Sequence, residues 1–123
     1  MLRRDPNGFE TKLAIPRGIL EQIANGLVSL RPVMVVLFGS RARGRAVRDD
    51  SDIDLLVVLD EERAPETYSE KMRSVVAVRQ ALAGVNRLFS LDTLVFTRSE
   101  WERFRVLRPD MVAEIEIEGV RIA

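Results

Sequence analysis

Residues 33–60, VMVVLFGSRARGRAVRDDSDIDLLVVLD, place two apolar runs on either side of a Gly-Ser pair, four arginines and an Asp-Ile-Asp. VMVVLF (33–38) and DIDLLVVL (52–59) are short, β-branched and almost continuously apolar, as strands buried on both faces are. These two runs predict the centre of a sheet. Upstream, Ile19, Leu20, Ile23, Leu27 and Leu30 recur at helical spacing between Pro16 and Pro32. That spacing predicts an amphipathic helix over 16–30 whose apolar stripe needs a sheet to cover. Downstream, Pro65 opens a second helix in which Tyr68, Met72, Val75, Val76 and Leu82 share a face, with Gly84 suited to cap its C-terminus. SLDTLVF (90–96) reads as a third strand. Thr97 and Glu100 have the spacing of a capping box ahead of a short helix carrying Trp101, Phe104 and Arg105. In 110–118, EIEIE alternates like a strand, whereas Met111, Val112 and Ile115 sit at helical spacing before Gly119. Helix is the preferred reading there, followed by a short VRIA strand. The order α, β, β, α, β, α, α, β predicts a single α/β (α+β) domain, a small mixed β-sheet flanked by helices, with residues 1–12 as a loose lead-in.

Composition narrows the chemistry. At 123 residues the chain can bury roughly two-thirds of its unfolded surface and fold without staples. It has no cysteine and no histidine, which excludes thiol nucleophiles, Cys or His zinc sites, Ser-His triads and imidazole acid–base chemistry. Any reaction must run on carboxylates, hydroxyls, arginines or a hard metal ion. Nineteen acids balance nineteen bases, so no global field draws the chain to DNA or to anionic lipid. All the bases except Lys12 and Lys71 are arginine, a bias that genome composition alone would produce and that also suits bidentate phosphate contacts. No apolar run approaches the ~18 residues of a membrane span, and the N-terminus lacks a signal-like apolar core. The expected location is cytoplasmic.

The polar middle of the 33–60 stretch has a chemistry of its own. A strand ending in Gly39-Ser40 leads into a tight turn where the missing side chain lets a ligand approach the backbone, and a hydroxyl follows at once. If a helical turn begins there, its free N–H groups and the charges of Arg41, Arg43, Arg45 and Arg48 make an anion site suited to phosphate. A solvated, positively charged loop would use the same residues, and Gly-Ser plus arginines alone favour that plainer reading. Asp52 and Asp54 shift the balance. Two residues apart on a strand, they point to one face with Cα atoms roughly 6.6 Å apart, while Ile53 points into the core. Carboxylates held together at the start of a buried strand repel one another, and a divalent cation removes the conflict. Magnesium takes oxygen ligands, keeps several waters, and is commonly held by one or two carboxylates plus substrate phosphates. Asp49 and Asp50 read as a solvated acidic turn. On the third strand Asp92 is framed by Leu91 and Leu94, where an acid is costly to bury unless paired or bound to metal. It either joins the other two, as a third carboxylate does in two-metal phosphoryl or nucleotidyl transfer, or hydrogen-bonds a turn at the strand end.

GSRARGRA, followed by SDIDLLV and then by an aspartate on a later strand, resembles the minimal nucleotidyltransferases of the DNA polymerase β superfamily. In particular it is similar to the small MNT proteins found beside HEPN partners, as is the ending EIEIEGVRIA. The likeness spans about residues 17–123, with its specific motifs at 39–58 and at Asp92. It implies a polymerase β-like nucleotidyltransferase core in which Gly39 and Ser40 hold a nucleoside triphosphate, with Arg41, Arg43 and Ser51 as further nucleotide contacts. It also implies that Asp52 and Asp54 ligate two Mg²⁺ ions, and that Asp92 completes the metal site and helps activate an acceptor hydroxyl. Arginines beside aspartates then serve one purpose, the cations facing the triphosphate and the carboxylates holding the ions that neutralise it. ATP or another NTP is the expected substrate, with AMP or another NMP passed to a protein hydroxyl. The sequence shows no added helical domain, finger module or template-binding region, and templated polymerisation is not expected.

Family context points to a HEPN-domain protein as partner, with this chain as the antitoxin of the pair, or to self-association with a second copy. Direct DNA binding and membrane association are not expected. The alternative to an enzyme is an antitoxin-like binding module that neutralises its HEPN partner by complex formation alone. Presence of all three acids and of Gly39-Ser40 favours the enzyme. Trp101 and Phe104 would serve an interface or, more simply, pack inward against the sheet.

Overall fold

The computed structural model describes residues 15–16, 18–44 and 52–123. The lead-in 1–12 and Arg45, Arg48, Asp49, Asp50 and Ser51 lie outside the described residues. In chain order the elements are α1 (Ile19–Leu27), β1 (Pro32–Phe38), α2 (Gly39–Ala42), β2 (Ile53–Leu59), α3 (Tyr68–Ala81), α4 (Ala83–Asn86), β3 (Leu91–Phe96), α5 (Arg98–Leu107), α6 (Pro109–Glu118) and β4 (Val120–Arg121). The strands form one mixed sheet in the order β3-β2-β1-β4. β1 is antiparallel to β2 and to β4, whereas β2 and β3 are parallel. A parallel pair needs a long crossover, and α3 with α4 supplies it.

Alternation along the strands divides the apolar residues between two cores. On one face, Val35 and Leu37 of β1 and Ile53, Leu55 and Val57 of β2 meet Ile19, Leu20, Ile23 and Leu27 of α1 and Val78, Leu82 and Val85 of the crossover. On the other, Val36, Leu56 and Val58 meet Trp101 of α5 and Val112 and Ile115 of α6, with Leu94, Phe96 and Phe104 packed alongside. Each such fully buried side chain contributes about 1.5–3 kcal/mol. Because both faces are covered, β2 reads in sequence as an almost unbroken apolar run. The Phe96, Trp101 and Phe104 rings lie with centroids 5.0 to 6.2 Å apart, so the aromatic face of α5 points inward. Thr97 and Glu100 close the expected capping box at the start of α5.

Three local features differ from the sequence reading. Residues 28–30 form a 3-10 turn after α1, because Pro32 disfavours further α-helix at Arg31, which takes φ 51 instead. In α3 the apolar residues split into two stripes. Val75, Val78 and Leu82 pack on the core, while Tyr68 and Val76 turn outward, Tyr68 with 78% exposure. Gly84 does not end that helix: Leu82 terminates it, and Gly84 sits inside the short α4. The segment 110–118 is helical, as preferred, and the closing strand pairs with β1 through Leu37 opposite Val120. Among the described residues no helix is long and apolar enough to cross a membrane.

Candidate active site

The register of the sheet sets two aspartates from different strands side by side. Phe38 pairs with Asp54, and Asp54 pairs with Asp92, in one row where β1 ends and β2 and β3 begin. Residues opposite one another in register share a face, so Asp92 lies on the face of Asp54. The next rows on that face are Val36, Leu56 and Leu94, then Met34, Val58 and Phe96, the rows that α5 and α6 cover. The acids therefore occupy the open end of an otherwise apolar face. Asp54 is half-buried; Asp52, just before β2, and Asp92, on the edge strand, are exposed.

β1 runs into α2 at Gly39, whose φ of 77 lies in the left-handed region. A Cβ at this position would overlap the Asp54 carboxylate oxygen and stand 3.0 Å from its Cγ. Glycine is required here twice over, by backbone conformation and by the closeness of the acid. α2 is a single helical turn, closed by the Arg43 N–H donating to the Gly39 carbonyl at 3.2 Å. Two residues advance a helix by about 200°, so Arg41 and Arg43 leave on opposite sides. Arg41 is only 4% exposed, and its guanidinium lies 5.2 Å from the centre of the Phe89 ring. Phe89 packs against the core that α1 covers, so Arg41 is a packed residue of that side. Arg43 turns to the acid face. Its Nη1 donates to Glu118 Oε2 at 2.9 Å and lies 3.7 Å from Glu114 Oε1.

Burial, and after it the charges of Asp92 and Asp52, push the Asp54 carboxyl up to about 6, while Arg43 pulls the other way. The Asp54 carboxylate thus carries a charge conflict that a bound cation would relieve. The donors are all oxygen, which fits magnesium. Among the described residues no three acids gather into a metal cluster by themselves, so a bound ion would complete its shell with substrate oxygens and water. The Arg43 guanidinium is pushed up by its hydrogen bond to Glu118, against burial, with the charges of Glu118, Glu114 and Asp54 adding to the effect. A cavity of about 160 Å³, lined by Arg79, Leu82, Asn86, Leu91, Asp92 and Thr93, opens along the edge of β3. A larger cleft of about 390 Å³ among Glu61, Arg63, Glu66, Glu70 and Arg73 holds none of the three aspartates.

Of the residues singled out in the sequence, Asp52, Asp54, Asp92, Gly39 and Ser40 come together at one end of the sheet, and Arg43 joins them. Arg41 is drawn off to the far core, and Ser51 lies outside the described residues. The sequence reading missed Glu114 and Glu118. Their signal is the spacing: like charges at i and i+4 on a helix are unfavourable unless a cation sits against them, and Arg43 does.

No curated protein matches the chain. The family model described as nucleotidyltransferase domain matches residues 20–122, which takes in all four strands, the Gly39-Ser40 turn and the three aspartates. With a mixed four-stranded sheet consistent with a polymerase β-like core, and a match over most of its length, the chain belongs to the nucleotidyltransferase domain family of the polymerase β superfamily.

Proposed function

We propose that the chain transfers a nucleoside monophosphate, most simply AMP from ATP, to a hydroxyl of a partner protein in a magnesium-dependent reaction. The observation that carries this reading is the register pair Asp54 and Asp92, set beside a glycine turn that leaves no room for a side chain. Asp52 and Asp54 are the residues to hold magnesium, which when bound neutralises the phosphates and the carboxylate repulsion together. Gly39 and Ser40 receive the triphosphate against the backbone. Asp92, exposed on the edge strand, accepts the proton of the acceptor hydroxyl. The acceptor oxygen forms its bond to the α-phosphorus, the bond from that phosphorus to the bridging oxygen breaks, and pyrophosphate leaves with the electron pair. A HEPN-domain protein as acceptor, with this chain as its antitoxin, rests on the resemblance of GSRARGRA and SDIDLLV to the MNT group.

The test is transfer of label from α-labelled ATP to the protein encoded beside this chain, with magnesium present. Asp52→Asn and Asp54→Asn should each abolish the label, and Asp92→Asn should lower it steeply, while the complex still forms. If the partner is silenced with no label from any of the four NTPs, and the Asn variants silence it equally well, the chain is a binding module and the enzyme reading falls.

A further inference from the structure

The carboxylate of Glu118 touches Arg43, 75 positions away in sequence, at 2.9 Å, and its place is doubly determined. α6 is docked on the sheet through Val112 and Ile115, and two residues after Glu118, at Val120, the chain enters β4, which pairs with Leu37 near the end of β1. The last helix and strand thus form a wall against the turn that opens at Gly39. Arg43 has one nitrogen, Nη1, committed to that wall. Its Nε is buried without a hydrogen-bond partner and is shut off from solvent, which leaves Nη2 as the nitrogen able to meet a ligand. No hydrogen bond of Nη2 accompanies it among the described residues. A guanidinium N–H that meets a phosphate oxygen makes a charge-assisted hydrogen bond. The charge of Arg43 reaches Asp54, so the guanidinium lies in the field of the proposed metal site.

We infer that Glu118 is a positioning residue for nucleotide binding: it fixes Arg43 by Nη1 so that Nη2 is presented to the triphosphate. This rests on the reading of the site as one for a magnesium–nucleoside triphosphate. Glu118 itself touches no substrate. Its effect is to hold in advance a long, rotamer-rich side chain that would otherwise have to be ordered at the moment of binding.

Titration calorimetry on the full chain with Mg·ATP and, separately, with AMP tests this. Glu118→Gln keeps the shape of the side chain and removes its charge, and should weaken Mg·ATP by roughly tenfold, the effect of removing one charge-assisted hydrogen bond, while AMP binding stays as in the wild type. Arg43→Ala should weaken Mg·ATP at least as much, and the double variant should be no worse than Arg43→Ala, because Glu118 acts through Arg43. Glu118→Asp, measured alongside with a thermal melt of each variant, should recover part of the affinity. Wild-type affinity for Mg·ATP in Glu118→Gln, equal weakening of ATP and AMP, or additive losses in the double variant would each overturn the inference while leaving the site reading intact. Absence of magnesium-dependent NTP binding by the wild type would overturn both.

Discussion

Gly39 and Asp54 are fitted to each other: the glycine's left-handed backbone brings the start of α2 so close to the carboxylate that a methyl group in its place would overlap an Asp54 oxygen. The Gly-Ser turn and the Asp-x-Asp pair are therefore two sides of one contact. Gly39→Ala should cost about 1–3 kcal/mol of stability, by backbone strain and by displacement of the acid. A melt with and without magnesium measures it. The variant should melt lower and gain none of the stabilisation that magnesium should give the wild type.

Asp54 gives a pH dependence with a definite sign. Its carboxyl, at about 6 in the folded chain, is raised above the value of 3.8 expected without the fold, so between those values the folded state binds more protons than the unfolded one. Metal-free stability should fall as pH rises from about 4 to about 6 and then level off. After allowance for solvent screening the loss is about 1–2 kcal/mol. Asp54→Asn should flatten this slope and melt higher than the wild type at pH 7.5. Chemical denaturation across that range, with chelator present, checks both.

Asp92→Asn separates chemistry from folding. The side chain is exposed on an edge strand, so stability should change by no more than about 0.5 kcal/mol. If Asp92 accepts the proton of the acceptor, label transfer should drop by about 10²–10⁴-fold. Activity within a few-fold of the wild type would remove Asp92 from the reaction.

The two arginines of the α2 turn should behave oppositely. Arg41→Ala removes a buried guanidinium stacked on Phe89 and should lower stability by about 2 kcal/mol. Arg43→Ala should show its effect in nucleotide affinity. Urea unfolding beside nucleotide titration of both variants distinguishes the roles.

Away from the site, Lys71 ties α3 to the sheet and to α5, donating to the Val95 carbonyl and to both Glu100 oxygens at 3.1 Å. Glu100 also accepts the Thr97 N–H at 2.9 Å in the capping box. Glu100→Ala should therefore cost about 2–3 kcal/mol, whereas Thr97→Ala, which removes only the cap, should cost about 1 kcal/mol. Guanidinium titrations of both variants give the comparison.

Much of this molecule is legible in the sequence because periodicity is a local property that reports a face. Alternation in 52–59 places Asp52 and Asp54 opposite Ile53, and the apolar run after them marks a strand covered on both sides. The capping box at Thr97 and Glu100 and the inward aromatics of α5 follow from spacing in the same way. Other features depend on which elements meet, and no spacing states that. Asp54 faces Asp92 only because β2 and β3 pair in parallel with that register. Arg41 and Arg43 look alike in GSRARG, yet a single helical turn sends one under Phe89 and the other to Glu118. The outward stripe of Tyr68 and Val76 is hidden among apolar residues whose neighbours point inward, since composition does not say which stripe of a helix finds a partner. Local chemistry names the residues that can bind a charged substrate; long-range packing of strands and of α6 decides which of them share one site.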